Sequence, residues 1–210
     1  MTGRGGRLLR YVALGDSYTI GTATRSPAER WPDQLVARLV ESPSTSRLLE
    51  LVANLGVNGF TSRDLVEVEL PQLGAFEPGF VTVLIGVNDV VQGVSESTYR
   101  ENVAVILDDL LGRLPPTRIV VVTTPDYTVT PRGADYGDPA VQADAIRTFN
   151  GAIGELAARR GIAVVDIHAI SLQAATDRSV VADDGLHPSG VQYRRWVERI
   201  APVVEALLRG

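Results

Sequence analysis

The residue types able to carry group-transfer chemistry in this chain are few. Histidine occurs twice, at His168 and His187, cysteine and lysine are absent, and all 20 basic residues are arginine. Thiolate nucleophiles, disulfides, cysteine-based metal sites, Schiff bases and serine–lysine dyads are therefore excluded. Serine assisted by histidine and a carboxylate remains. Ser17 stands out because the apolar run from Leu8 to Leu14 ends in Gly15-Asp16-Ser17. That pattern presents a serine at the carboxyl end of a buried strand, where open α/β sheets bind their ligands. Gly-Asp-Ser is also ordinary turn chemistry, and the tripeptide alone favours the turn over a nucleophile.

A serine nucleophile needs a base, a carboxylate to orient the base, and donors for the developing oxyanion. His187 lies in Asp183-Asp184-Gly185-Leu186-His187-Pro188. Asp184 is three residues earlier, a spacing that in a helical turn puts both side chains on one face. The competing reading is that the two cap the helix that follows. His168 has its own acid, Asp166, two residues back, and strand alternation would put both on one face. A polar strand end explains that pair as well. Oxyanion donors are available in Asn54-Leu-Gly-Val-Asn-Gly59-Phe-Thr-Ser and in Ile85-Gly86-Val-Asn88-Asp89. Glycine lets a backbone amide approach a ligand closely, and a side-chain amide can donate directly. Both segments also read as turns or helix caps. Asp16, Asp89 and Asp184 are too dispersed to suggest a metal site, and no cofactor is expected.

The surrounding pattern alternates short β-branched runs with longer helical periods, the signature of parallel βαβ units. Strands are expected at Arg10–Leu14, Leu48–Ala53, Phe80–Ile85, Ile119–Thr123 and Ile162–Ile167. Helices are expected over Trp31–Val40, from a Thr61 or Ser62 cap to Leu70, from Ser97 to Leu114, and from an Asp138 cap to Arg160. A closing helix spans Pro188 to Leu208, with Pro202 expected to kink or split it near Ala201. The stretch 124–137 holds two Pro, two Gly and two Tyr. It reads as a long loop over the sheet edge, and loops of that length are commonly functional. Each special segment thus follows a strand or precedes the last helix.

The bulk properties fit one domain over residues 1–210, with 45% hydrophobic and 21% charged residues. The Gly-rich basic start, residues 1–7, is expected to be flexible. A net charge of −5 argues against nucleic acid as a partner. No run reaches the length of a membrane span, and no separate signal segment precedes the first strand. A cytoplasmic location is the expectation.

Taken together, Gly15-Asp16-Ser17, Asn54-x-Gly-x-x-Gly59, Gly86-x-Asn88-Asp89 and Asp184-x-x-His187 resemble the four blocks of the SGNH (GDSL-type) hydrolases, in the family's order and across nearly the whole chain. The resemblance implies Ser17 as nucleophile, His187 as base and Asp184 as its orienting acid. It also implies an oxyanion hole made by the Ser17 and Gly59 amides and the Asn88 side chain. Gly56 is the rival glycine, and the spacing from Asn54 favours Gly59. Asp16 and Asp89 would fix turns. Tyr18 stands where the family name expects Leu. The implied fold is a flavodoxin-like three-layer α/β sandwich, a five-stranded parallel sheet in order 2-1-3-4-5 with helices on both faces. The α/β-hydrolase elbow Gly-x-Ser-x-Gly does not fit, since Thr19 occupies its last position.

The expected function is hydrolysis of small carboxylic esters, short-chain acyl or acetyl, through an acyl-enzyme. Tyr18, Phe60 and Tyr127 are expected to contact substrate, with Trp31 and Tyr136 as further candidates for the pocket wall. An acyltransferase using the same triad is the alternative. A non-catalytic anion or flavin binder is a third reading, since the serine turn opens onto a helix N-terminus.

Overall fold

A computed structural model describes residues 8–42 and 49–209. The expected flexible segment 1–7 lies outside these residues, as does Leu48, the first residue expected of the second strand.

The chain runs β1 (Leu9–Gly15), α1 (Ser17–Ile20), α2 (Trp31–Val40), β2 (Leu49–Asn54), α3 (Ser62–Asp64), a π-helical stretch (Leu65–Glu69), α4 (Leu70–Phe76), β3 (Phe80–Leu84), α5 (Val87–Val91), α6 (Glu96–Arg113), β4 (Ile119–Val122), α7 (Pro139–Ala158), β5 (Ala163–Val165), α8 (His168–Ser171) and α9 (Gly190–Arg209). The five strands form one parallel sheet in the order β2-β1-β3-β4-β5. This is the flavodoxin-like order expected from the sequence. β3 and β4, Phe-Val-Thr-Val-Leu and Ile-Val-Val-Val, are buried along their whole length. That is the pattern of strands covered by helices on both faces. The one hydroxyl in β3, on Thr82, is satisfied at 2.7 Å by the buried Tyr11 hydroxyl of β1.

α2 and α9 pack together on one side of the sheet, and α4, α6 and α7 lie on the other. β1 leads to β2 on one side and its neighbour β3 leads to β4 on the other, so the connections leaving these two strands run toward opposite edges of the sheet. A crevice opens at such a point, outside the carboxyl ends of the strands. The segments after β1, β2 and β3 all emerge there.

Several local outcomes differ from the sequence expectation, each for a physical reason. The helix begun by Thr61 does not stop near Leu70. Thr61 forms a capping box with Asp64, and the helix then widens over Leu65–Glu69 before resuming as α4. Pro71, which has no N–H to give to the ladder, follows directly on this wider turn and sits in the first turn of α4. β5 is shorter than expected and ends at Val165. There the Asp166 carboxylate takes hydrogen bonds from the Thr123 hydroxyl and the His168 amide, both at 2.9 Å, and turns the chain into α8. Asp166 and His168 therefore do not share a strand face. α9 runs unbroken through Pro202. The proline faces solvent, while Ile200, Ala201 and Val204 beside it are buried. Packing of that face outweighs one lost backbone hydrogen bond. No described helix is long and apolar enough to cross a membrane.

Candidate active site

A cavity of about 260 Å³ opens at the crevice. Ser17, Gly59, Asn88 and His187 all line it, so four segments far apart in sequence converge on one space.

Ser17 is the first residue of α1. Asp16 caps that helix, its carboxylate accepting from the Tyr18 amide at 2.9 Å. Gly15 makes the turn possible. Its φ is +147°, and a Cβ there would lie 2.1 Å from the Leu84 carbonyl oxygen of β3. Only glycine fits so close a passage between strands.

Beneath this turn the Glu69 side chain, fully buried, accepts a hydrogen bond from the Gly15 amide at 2.9 Å. The π-helical stretch sets Glu69 there. One oxygen of Glu69 and one of Asp16 are buried without a hydrogen-bond partner. Burial raises Asp16 to about 8, opposed by the Tyr18 amide and reinforced by the charge of Asp89. Burial likewise raises Glu69 to about 9, opposed by the Gly15 amide and reinforced by Asp16 and Asp64. Burial thus favours the protonated form of both carboxyls, which lessens the charge beneath the serine.

His187 and Asp184 form a compact pair. The His187 Nδ1 lies 2.5 Å from one Asp184 oxygen. The other Asp184 oxygen accepts from the Leu186 and His187 amides at 2.9 and 3.0 Å. Burial pushes Asp184 upward, but the His187 ring and the two amides outweigh it and hold the carboxyl below its usual value. The pair sits in a turn ahead of α9, not on a helix, and does not cap that helix. Ser189 takes that position, its hydroxyl accepting from the Val191 amide. The Tyr18 ring packs 5.7 Å from the imidazole and is backed by Trp196 at 6.3 Å.

The oxyanion candidates are tied to each other. Asp89, buried beside Asn88, accepts from the Ser62 amide at 2.8 Å and the Ser62 hydroxyl at 2.5 Å. It thereby clamps the segment after β2 to the segment after β3. The Asn88 amide donates one hydrogen to the Phe60 carbonyl at 2.9 Å and keeps a second for another acceptor. Gly59 has φ +83° and no atom within 4 Å of a Cβ position, whereas a Cβ on Gly56 would lie 2.8 Å from the Asp16 carbonyl oxygen. Gly59 lines the cavity and Gly56 does not. Neither the Ser17 nor the Gly59 amide donates a hydrogen bond among the described residues.

Of the residues expected to contact substrate, Tyr18 and Tyr127 line the cavity. Phe60 does not; it contributes its carbonyl to Asn88. Trp31 is wholly buried in the core. His168 stands apart, with Nε2 3.7 Å from Asp126 rather than beside Asp166. The loop 124–137 reaches the site through Tyr127 and Tyr136 and is joined to the acid–histidine turn by the Arg132 amide bonding the Gly185 carbonyl at 3.1 Å. Nothing in the sequence pattern singles out Asn58, Val87, Val91 or Leu186 as cavity walls. Each adjoins an expected site residue in sequence or on α5, which was the signal available.

No curated protein matches the chain in sequence. Solved structures share its fold at low identity. A variant of Axe2, an acetyl xylan esterase from Geobacillus stearothermophilus, superposes with a TM-score of 0.73 at 18% identity, covering 96% of this chain and 97% of that one. TesA gives 0.72 at 19% identity, covering 95% and 99%. A lipase/acylhydrolase from Enterococcus faecalis gives 0.69 at 22% identity, covering 94% and 96%. The sequence model of the GDSL-like lipase/acylhydrolase family matches residues 13–195, from the middle of β1 into α9, and the chain belongs to that family.

Proposed function

We propose that the protein hydrolyses small carboxylic esters with short acyl groups through an acyl-enzyme on Ser17. Family membership makes it a carboxylic ester hydrolase. The observation that carries the residue roles is the Asp184–His187 pair, 2.5 Å apart, whose imidazole lines the same cavity as Ser17.

In this reading the Ser17 hydroxyl attacks the ester carbonyl and His187 takes its proton. Asp184 fixes the imidazole tautomer and stabilises the imidazolium. The carbonyl oxygen gains negative charge and is held by the Ser17 amide, the Gly59 amide and the free hydrogen of Asn88. His187 then protonates the departing alcohol. Water, deprotonated by His187, attacks the acyl-enzyme and restores Ser17.

Val87, Val91, Tyr127, Tyr136 and Leu186 give the cavity its apolar wall. Its size suits an acetyl or short acyl group. The acetyl xylan esterase among the structural relatives is consistent with that choice. The test is hydrolysis of p-nitrophenyl esters of increasing acyl length, with Ser17→Ala alongside. Turnover should be highest for the shortest chains and lost in the variant. Equal turnover by Ser17→Ala would remove the serine from the mechanism.

A further inference from the structure

Asn58 is a wall shared by two spaces. It lines the cavity that holds Ser17, and it lines a wider open groove of about 660 Å³. The groove's other walls are the segment from Ile20 to Pro27, Arg30, Gly56 and Val57. The Thr22 hydroxyl donates to the Asn58 side chain at the boundary. The two spaces differ in chemistry. The cavity has the apolar wall just described, while the groove presents Thr22, Thr24, Ser26, Asn58, Arg25 and Arg30. If the acyl group takes the apolar side, the alcohol portion of the ester leaves toward the groove.

Arg30 is the unusual member. It occupies the N-cap of α2 and makes no capping bond there. A cation at that end opposes the helix dipole, where an anion or a neutral oxygen acceptor is favoured. Its guanidinium forms no ion pair among the described residues; Asp33, in the next turn, feels its charge from beyond ion-pair distance. Its Nε is buried without a hydrogen-bond partner. Gly21 leaves room for its stem, since a Cβ there would lie 2.5 Å from the Arg30 Cγ. Arg25, on the same groove, has only a loose surface pairing with Asp183 at 3.6 Å. A guanidinium on the wall of an open groove, with no ion-pair partner among the described residues, is suited to a ligand oxyanion, which its planar fork binds in a fixed geometry.

We propose that the groove binds the alcohol portion of the ester and that this alcohol carries an oxyanion, a carboxylate or a phosphate, paired with Arg30. The inference rests on the reading of Ser17 as the nucleophile. It narrows the substrate from a small ester to a short acyl ester of an anionic, polar alcohol. Arg30 acts in binding and touches no reacting atom.

The test compares acetate esters of three alcohols: gamma-hydroxybutyrate, its uncharged amide, and propanediol monophosphate. For the wild type, kcat/KM for either anionic ester should exceed that for the amide by about tenfold, the worth of one charge-assisted hydrogen bond, and the gain should sit in KM. A gain for only one of the two anions identifies which oxyanion the groove takes. In Arg30→Gln the ratio should fall to near one, and Arg30→Lys should restore part of it. Added salt should erode the wild-type ratio, since the groove is open to solvent; this measurement stands even where Arg30→Gln fails to fold. A wild-type ratio of one for both anions, or a ratio that neither salt nor Arg30→Gln changes, overturns the proposal. Wild-type turnover of p-nitrophenyl acetate separates the two levels. Turnover with a ratio of one sinks the anion assignment alone, and no turnover at all sinks the hydrolase reading beneath it.

Discussion

Glu69 accepts a hydrogen bond from the Gly15 amide at 2.9 Å, from directly beneath the turn that presents Ser17. The acid is fully buried and shares its surroundings with the equally buried Asp16. The Ser17 turn thus rests on two carboxyl groups, and burial away from water favours their neutral forms.

That arrangement makes stability depend on pH. Asp16 is raised to about 8 and Glu69 to about 9, against about 4 for such groups in the unfolded chain. Between those limits the folded protein holds protons that the unfolded chain has released. The stabilisation is therefore complete below about pH 4 and is lost as pH rises through 8 to 9. Thermal melts should show Tm falling steadily from pH 5 to pH 9. Glu69→Gln keeps an oxygen for the Gly15 amide and removes the titration, so its Tm should fall less over that range. An identical slope in the variant would show that Glu69 is not the group titrating.

In the proposed mechanism Asn88 carries a measurable share of the barrier. One oxyanion donor is typically worth about 3–4 kcal/mol, so Asn88→Ala should lower kcat by roughly a hundredfold or more, with KM little changed. The same amide holds the Phe60 carbonyl at 2.9 Å, so a Tm measurement must accompany the kinetics. A folded Asn88→Ala enzyme with near wild-type kcat would exclude the residue from the oxyanion hole.

The two conspicuous glycines should respond differently to a methyl group. Gly15→Ala drives a Cβ to 2.1 Å from the Leu84 carbonyl oxygen, and at φ +147° the backbone is strained as well. The sheet has to separate locally, and the cost should be several kcal/mol. Gly59→Ala meets no atom within 4 Å, and its left-handed φ of +83° alone costs about 1–2 kcal/mol. Denaturant melts should find Gly15→Ala barely folded or insoluble and Gly59→Ala folded with modest loss. Comparable losses in both would mean that backbone strain, not the close strand contact, governs Gly15.

The contrast among these residues follows what a sequence can carry. Ser17, Gly59, Asn88 and His187 were legible because each follows a strand or precedes the last helix within a few residues, so the strand order alone collects them at one edge. Glu69 acts at long range, on a residue 54 positions earlier. Its only local signal is its place four residues after Leu65, on the buried face of an amphipathic helix, where an acid is out of character. The π turn that completes its placement lies just ahead of Pro71 and packs against β1, neither of which a local pattern at Glu69 reveals. Ser189 caps α9, although Asp184 and His187 just ahead of it have the composition of caps. The tight turn at Gly185, φ +75°, spends their polar atoms on each other instead. Arg30 left no mark at all, since an arginine before a helix is unremarkable until its missing partners are seen.

Asp184 offers the sharpest test of the triad. One of its oxygens holds the Leu186 and His187 amides, and the other holds Nδ1 of the imidazole at 2.5 Å. Asp184→Asn can keep the first set of bonds through its carbonyl oxygen, so the turn should survive. It then turns an NH2 toward Nδ1, which favours the tautomer with its proton on Nε2, the nitrogen that must accept from Ser17. The charge that stabilised the imidazolium is also gone. Such a change should lower kcat by about a thousandfold or more while KM and Tm stay near wild type. Asp184→Ala should lose the turn's hydrogen bonds too and show a fall in Tm that Asp184→Asn does not. A folded Asp184→Asn enzyme retaining most of its kcat would mean that His187 takes its orientation elsewhere, for instance from the Tyr18 ring 5.7 Å away.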